Sequence, residues 1–98
     1  MAAYLIAIVE ITDAAAYAIY RTGVPAIVAA YGGRFLVRGG PQDVREGEWP
    51  GGRTVVIEFP DRTAAARFYD SAEYQAILPI RVGASRSNLI LVEGIEPS

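Results

Sequence analysis

Ninety-eight residues suffice for one compact domain and leave no room for a second, since domains usually run to ~100–150 residues. A hydrophobic share of 52% against 20% charged excludes a disordered chain, and nine basic against eleven acidic residues leave no positive excess for nucleic acid. Cys and His are both absent, which removes thiol nucleophiles, disulfides, zinc–thiolate sites and every imidazole mechanism.

Tyr4 to Ile11 reads as a strand, rich in β-branched residues. Asp13 is placed to cap the helix that follows. Tyr17, Tyr20, Val24, Ile27 and Tyr31 recur at helical spacing and predict one apolar stripe. Gly23 and Pro25 interrupt it, which predicts a bend or a break and restart. Gly32-Gly33 supplies the stop. Arg34 to Arg38 reads as a second strand and Arg53 to Phe59 as a third. A helix is expected from Arg62 to Tyr69 with Asp61 as its cap. Asp70-Ser71-Ala72-Glu73 has capping-box spacing and predicts a new helical start near Ser71. Its apolar stripe runs Tyr74, Ile77, Leu78, Val82, crosses Pro79 and ends near Gly83. Asn88 to Glu93 reads as the last strand, with Gly94 to Ser98 as a short tail.

That order predicts a single α+β domain over residues 1–98, with the ferredoxin-like βαββαβ plan: a four-stranded antiparallel sheet and both helices on one face. Strand alternation then divides the side chains. Leu5, Ala7, Val9, Ile11, Phe35, Val37, Val55, Ile57, Phe59, Ile90 and Val92 form a set expected to face the helices. Tyr4, Ile6, Ile8, Leu36, Val56, Leu89 and Leu91, with Glu10, Arg34, Arg38, Thr54, Glu58 and Glu93, form the set expected on the open face. So apolar a face exceeds what a monomer leaves in water, and a second copy packed sheet on sheet is the expected cover.

The charged members of that face are the candidate chemistry. Arg38, Glu58 and Glu10 are the catalytic candidates, a carboxylate serving as base and Arg38 as stabiliser of developing negative charge; as rim pairs they would serve dimer register alone. Ligand contacts are expected from Tyr20, Trp49, Tyr69, Arg34 and Arg86. Trp49 lies in a fourteen-residue connection, long enough to carry function or its own structure; Gln42 to Glu46 is expected to form a small extra strand there. Arg81 and Arg86 bracket the entry to the last strand, as surface charges or anion contacts. No phosphate-loop or dinucleotide motif occurs, so no cofactor and no metal site are expected. Met1 to Val9 lacks a basic start and meets Glu10, which predicts no leader, and no apolar run reaches the ~18 residues of a membrane helix. A cytoplasmic protein is expected, with partners limited to itself and a small molecule, and neither nucleic acid nor membrane.

Ala29-Ala30-Tyr31-Gly32-Gly33-Arg34-Phe35-Leu36-Val37-Arg38-Gly39-Gly40 resembles the central signature of the domain-of-unknown-function 1330 family. Glu46-Gly47-Glu48-Trp49, Val56-Ile57-Glu58-Phe59-Pro60, Tyr69-Asp70-Ser71-Ala72-Glu73-Tyr74-Gln75 and Leu91-Val92-Glu93-Gly94 are similar to its other blocks. The resemblance implies a dimeric α+β barrel and no settled activity. Its wider superfamily includes cofactor-free monooxygenases, haem-dependent enzymes, isomerases and stress-response proteins. Three function classes therefore stand: a ligand-binding protein that catalyses proton transfer or isomerisation, a non-catalytic dimerisation module, and a cofactor-free oxygenase.

Overall fold

The computed structural model describes residues 1–96, so Pro97 and Ser98 of the expected tail lie outside the described residues. The elements are β1 (Ala3–Ile11), α1 (Ala14–Ala30), β2 (Arg34–Arg38), β3 (Arg53–Phe59), α2 (Arg62–Asp70), α3 (Ala72–Ala84) and β4 (Ser85–Glu93). The strands form one antiparallel sheet in the order β2-β3-β1-β4, the expected ferredoxin-like arrangement.

Helix starts follow the side-chain chemistry. Asp13 accepts from the Ala16 amide at 3.1 Å and Asp61 from the Ala64 amide at 2.7 Å, meeting amides that have no partner inside a helix. Ser71 serves two helices, donating to the Phe68 carbonyl at 2.7 Å and accepting from the Tyr74 amide at 3.1 Å. The capping spacing from Asp70 therefore falls one residue early. α1 runs through Pro25 as one element, because Tyr17, Tyr20, Val24 and Val28 are all buried along it and hold the turn that lacks an amide hydrogen. At its end Gly33 is required: a Cβ there would lie 2.6 Å from the Phe59 ring and 2.8 Å from Val28.

Three expectations about strands β2 and β4 need correction. β4 starts at Ser85, not Asn88, since Ile11, Glu10 and Val9 pair with Ser85, Arg86 and Ser87. The amides of Thr12 and Asp13 also clamp the Ala84 carbonyl, at 2.8 and 3.1 Å. The two sides of β4 are exchanged: Leu89 and Leu91 pair with Ala7 and Leu5 and share their helix-side face, whereas Ile90 and Val92 pair with Ile6 and Tyr4 on the open face. A β-bulge between Phe35 and Val37 does the same to the end of β2. Val37 pairs with Val56 on the open face, and Arg38 pairs with Val55 on the helix side. One extra residue moves every later side chain to the other face.

Core side chains from the sheet meet Phe68 of α2 and Tyr74 of α3. The Phe68 ring lies 5.2 Å from Phe59 and 4.6 Å from Tyr74. On α3 the buried stripe includes Tyr74 and Arg81, while Val82 is exposed. The segment 39–52 forms no strand, so the extra strand expected over 42–46 is absent. Gln42 fastens this segment instead, donating to the Gly52 carbonyl at 2.8 Å and accepting from the Thr54 hydroxyl at 2.7 Å. On the open face, Val37, Val56, Ile6 and Ile90 form one row across all four strands. Among the described residues no helix is long and apolar enough to cross a membrane.

Candidate functional site

Antiparallel order brings the ends of β1 and β2 and the starts of β3 and β4 to one edge of the sheet. On the helix side of that edge, register sets Ser87, Val9 and Arg53 in one row and Leu89, Ala7, Val55 and Arg38 in the next. Tyr17, Tyr20 and Arg21 from α1 and Tyr74 and Arg81 from α3 close over them, enclosing a cavity of about 40 Å³. Among the described residues four guanidinium-bearing side chains line it and no carboxylate does. Among the described residues the ion pairs are Arg34–Glu58 and Arg45–Asp43, so none of the four cavity arginines has an acid partner.

Their surroundings replace an acid only in part. Arg81 is 6% exposed; its Nη1 donates to the Ser87 hydroxyl and its Cζ lies 5.9 Å from the Tyr20 ring centre. Burial works against its charge, but the Tyr74 and Tyr20 phenols outweigh burial and raise its pKa. Arg53 stacks towards Tyr17, 5.7 Å from ring centre to Cζ. The Nε atoms of both Arg53 and Arg81 are buried without an acceptor. Arg38 sits 4.6 Å over the Phe35 ring and donates to the Arg21 carbonyl at 2.9 Å. Arg21 and Arg38 are exposed and Arg53 is half-buried, but Arg81 is a desolvated cation without a counterion, which is costly, and an anion in the cavity would relieve that cost.

The Tyr20 and Tyr74 hydroxyls lie 2.8 Å apart. Burial, followed by the Tyr74 phenol, pushes the Tyr20 phenol far above its ordinary range, so Tyr20 is a neutral hydroxyl. A raised folded pKa stabilises the protein below the unfolded value near ~10 and loses that contribution as pH rises past it. Tyr20→Phe should cost about 1 kcal/mol at neutral pH, the worth of one hydrogen bond. Thermal melts compared across the alkaline range should show the gap between variant and parent narrowing above about pH 10; a gap of constant width would contradict the assignment.

The residues singled out from sequence divide between the two faces. Arg38 and Tyr20 meet at the cavity, and Tyr69 borders it in an adjoining groove that shares Arg81. Glu58 lies on the open face, 2.8 Å from Arg34 and 3.4 Å from the Tyr4 hydroxyl. Glu10 and Arg86 face one another at the opposite end of the sheet from Glu58, also on the open side and exposed. Trp49 is 48% exposed and lies among Gln42, Val44 and Thr54, away from the cavity. Sequence reasoning missed Arg53, although its spacing matched Val55, Ile57 and Phe59. By sequence Arg81 reads as a surface charge or anion contact, although it stands seven residues beyond Tyr74 on the same helical stripe.

A ferredoxin-like α+β protein with a helix-side cavity is thus defined. The chain belongs to the family described as Domain of unknown function (DUF1330), whose model matches residues 2–95. Comparison with curated proteins gives no match. Among solved structures, a protein of unknown function from Rhodopseudomonas palustris is similar with a TM-score of 0.77 at 18% identity, over 98% of this chain and 84% of that one. SnoaB, a cofactor-independent oxygenase from Streptomyces nogalater, is similar at 0.64 and 16%, over 98% and 95% of the two chains. A dimeric ferredoxin-like protein of unknown function from Jannaschia sp. CCS1 is similar at 0.65 and 15%, over 96% and 100%. At such identities the likeness shows a shared fold.

Proposed function

We propose that this protein is a homodimer that binds a small organic molecule, anionic or carbonyl-bearing, in the helix-side cavity of each protomer. The observation that carries the reading is the pair of buried, acceptor-less Nε atoms on Arg53 and Arg81 beside a cavity with no acid in its wall. The dimer rests on the open face, where apolar residues cross all four strands and fully burying each large side chain is worth ~1.5–3 kcal/mol. A structural neighbour named as dimeric supports it.

Proton transfer or isomerisation would use Arg38 as stabiliser of negative charge, with Glu58 or Glu10 as base. Arg38 lines the cavity, but both carboxylates stand on the opposite face. Binding is therefore the primary reading, and catalysis would need a base carried by the ligand or by water. In the non-catalytic module, the Arg34–Glu58 pair would set dimer register.

Arg38→Ala and Glu58→Ala separate these readings. Thermal shift with a panel of small organic acids and ketones should show stabilisation of the parent protein, lost in Arg38→Ala with sedimentation unchanged. Glu58→Ala should keep the shift. A panel without effect, together with a dimer weakened by Glu58→Ala, would select the structural module.

Cofactor-free oxygenation of an electron-rich aromatic is the second reading. The buried Arg81 guanidinium beside the Tyr20 ring would pair with such a substrate as its anion, the form that gives an electron to oxygen most readily. The neighbour named as a cofactor-independent oxygenase accords with this. Oxygen uptake with phenolic substrates, without added flavin or metal, would select it.

A further inference from the structure

We infer that the cavity is built for a short-chain monocarboxylate, its two oxygens held by Arg81 and the Tyr20–Tyr74 hydroxyl pair and its alkyl end laid along the sheet. The inference rests on the ligand-binding reading above and specifies its chemical class. The donor count comes first. Arg81 is 6% exposed, and its buried Nε–H has no acceptor. In the Tyr20–Tyr74 pair one hydroxyl donates to the other across 2.8 Å, which leaves one phenolic hydrogen unused. These two spare donors, one of them charged, match the two oxygens of a carboxylate, and the buried Arg53 Nε–H, also without an acceptor, stands as a third at the same end of the sheet.

Polarity along the sheet comes second. The Arg53 row, with Ser87 bonded to Arg81, marks the charged end. Moving inward along β4 and β1, Leu89 and Ala7 follow, then Leu91 and Leu5, all apolar, while Arg38 stands at the β2 end of the second row. A second ligand charge on the β1–β4 side would lie against hydrocarbon. Volume comes third. About 40 Å³ is room for roughly three water-sized groups, enough for the carboxylate head with a short alkyl chain extending to the mouth of the cavity, and too little for a fused ring system.

Calorimetric titration of the full chain at neutral pH tests this with butanoate, its neutral isostere butanamide, inorganic phosphate and 2-naphthoate. Butanoate should bind, with butanamide about tenfold or more weaker, the usual loss when a charged hydrogen bond is replaced by a neutral one. Phosphate and 2-naphthoate should both bind more weakly than butanoate. Arg81→Met should weaken butanoate by a similar factor, and Tyr20→Phe by less, while Arg34→Ala on the opposite face leaves it unchanged. Should Arg81→Met fail to fold, the acid–amide comparison on the unaltered protein still decides.

Butanamide binding as tightly as butanoate, or 2-naphthoate or phosphate binding more tightly, would overturn the monocarboxylate while leaving a ligand cavity in place. Silence from all four probes overturns the monocarboxylate too. The wider ligand reading falls only if the panel of organic acids and ketones is silent as well.

Discussion

Aspartate at both Val37 and Ile90 should convert the proposed dimer into monomers that still fold. The two residues are 40% and 57% exposed in the protomer, so a charge there meets water in the monomer and apolar surface in a dimer. Both terminate the row that crosses Val56 and Ile6, where two copies would set four carboxylates close together. Like charges placed across an interface cost several kcal/mol, and about 4 kcal/mol is roughly a thousandfold in dissociation constant. Sedimentation at micromolar concentration should move from twice 10.5 kDa to 10.5 kDa, with the circular dichroism of the parent retained. The cavity lies on the helix side of the sheet, opposite the face that carries both substitutions, so the monomeric variant should keep its ligand. A parent protein already at the lower mass would remove the basis of the dimer.

Gly52→Ala should be among the most damaging single substitutions. Its φ is +86°, and a Cβ there would lie 2.4 Å from the Val9 carbonyl oxygen and 2.8 Å from the Glu10 amide nitrogen. Those atoms belong to the backbone of the central strand β1 and cannot turn aside as a side chain could. Left-handed strain and overpacking together cost about 3 kcal/mol, or about 12–24 °C in Tm for a domain of this size. Arg53 follows directly and the Gly52 carbonyl anchors Gln42, so cavity affinity should fall with stability. Gly40→Ala is the control: it has open space and no positive φ, and should change stability by no more than about 0.5 kcal/mol. Equal melting temperatures for the two variants would contradict this account.

Much of the architecture was legible because its causes are local. Asp13, Asp61 and Ser71 announce helix starts by the acceptors they offer, and Gly32-Gly33 announces a stop. Short apolar runs between glycines and prolines announce strands. Chemistry was harder to place. Alternation counted from Arg34 places Arg38 on the open face, and one bulge turns it to the helix side. On β4, Leu89, Ile90, Leu91 and Val92 are all apolar, so alternation carried no information about which pair faced inward.

Element order, caps and an oily sheet were therefore determined by the chain's own pattern, through hydrogen-bonding capacity and hydrophobic spacing that act within a few residues. Which arginines share a cavity was decided only when β1 selected the register of its neighbours and α1 and α3 closed over one edge. A cluster drawn from positions 21, 38, 53 and 81 is assembled by pairing across strands, and no local preference encodes it.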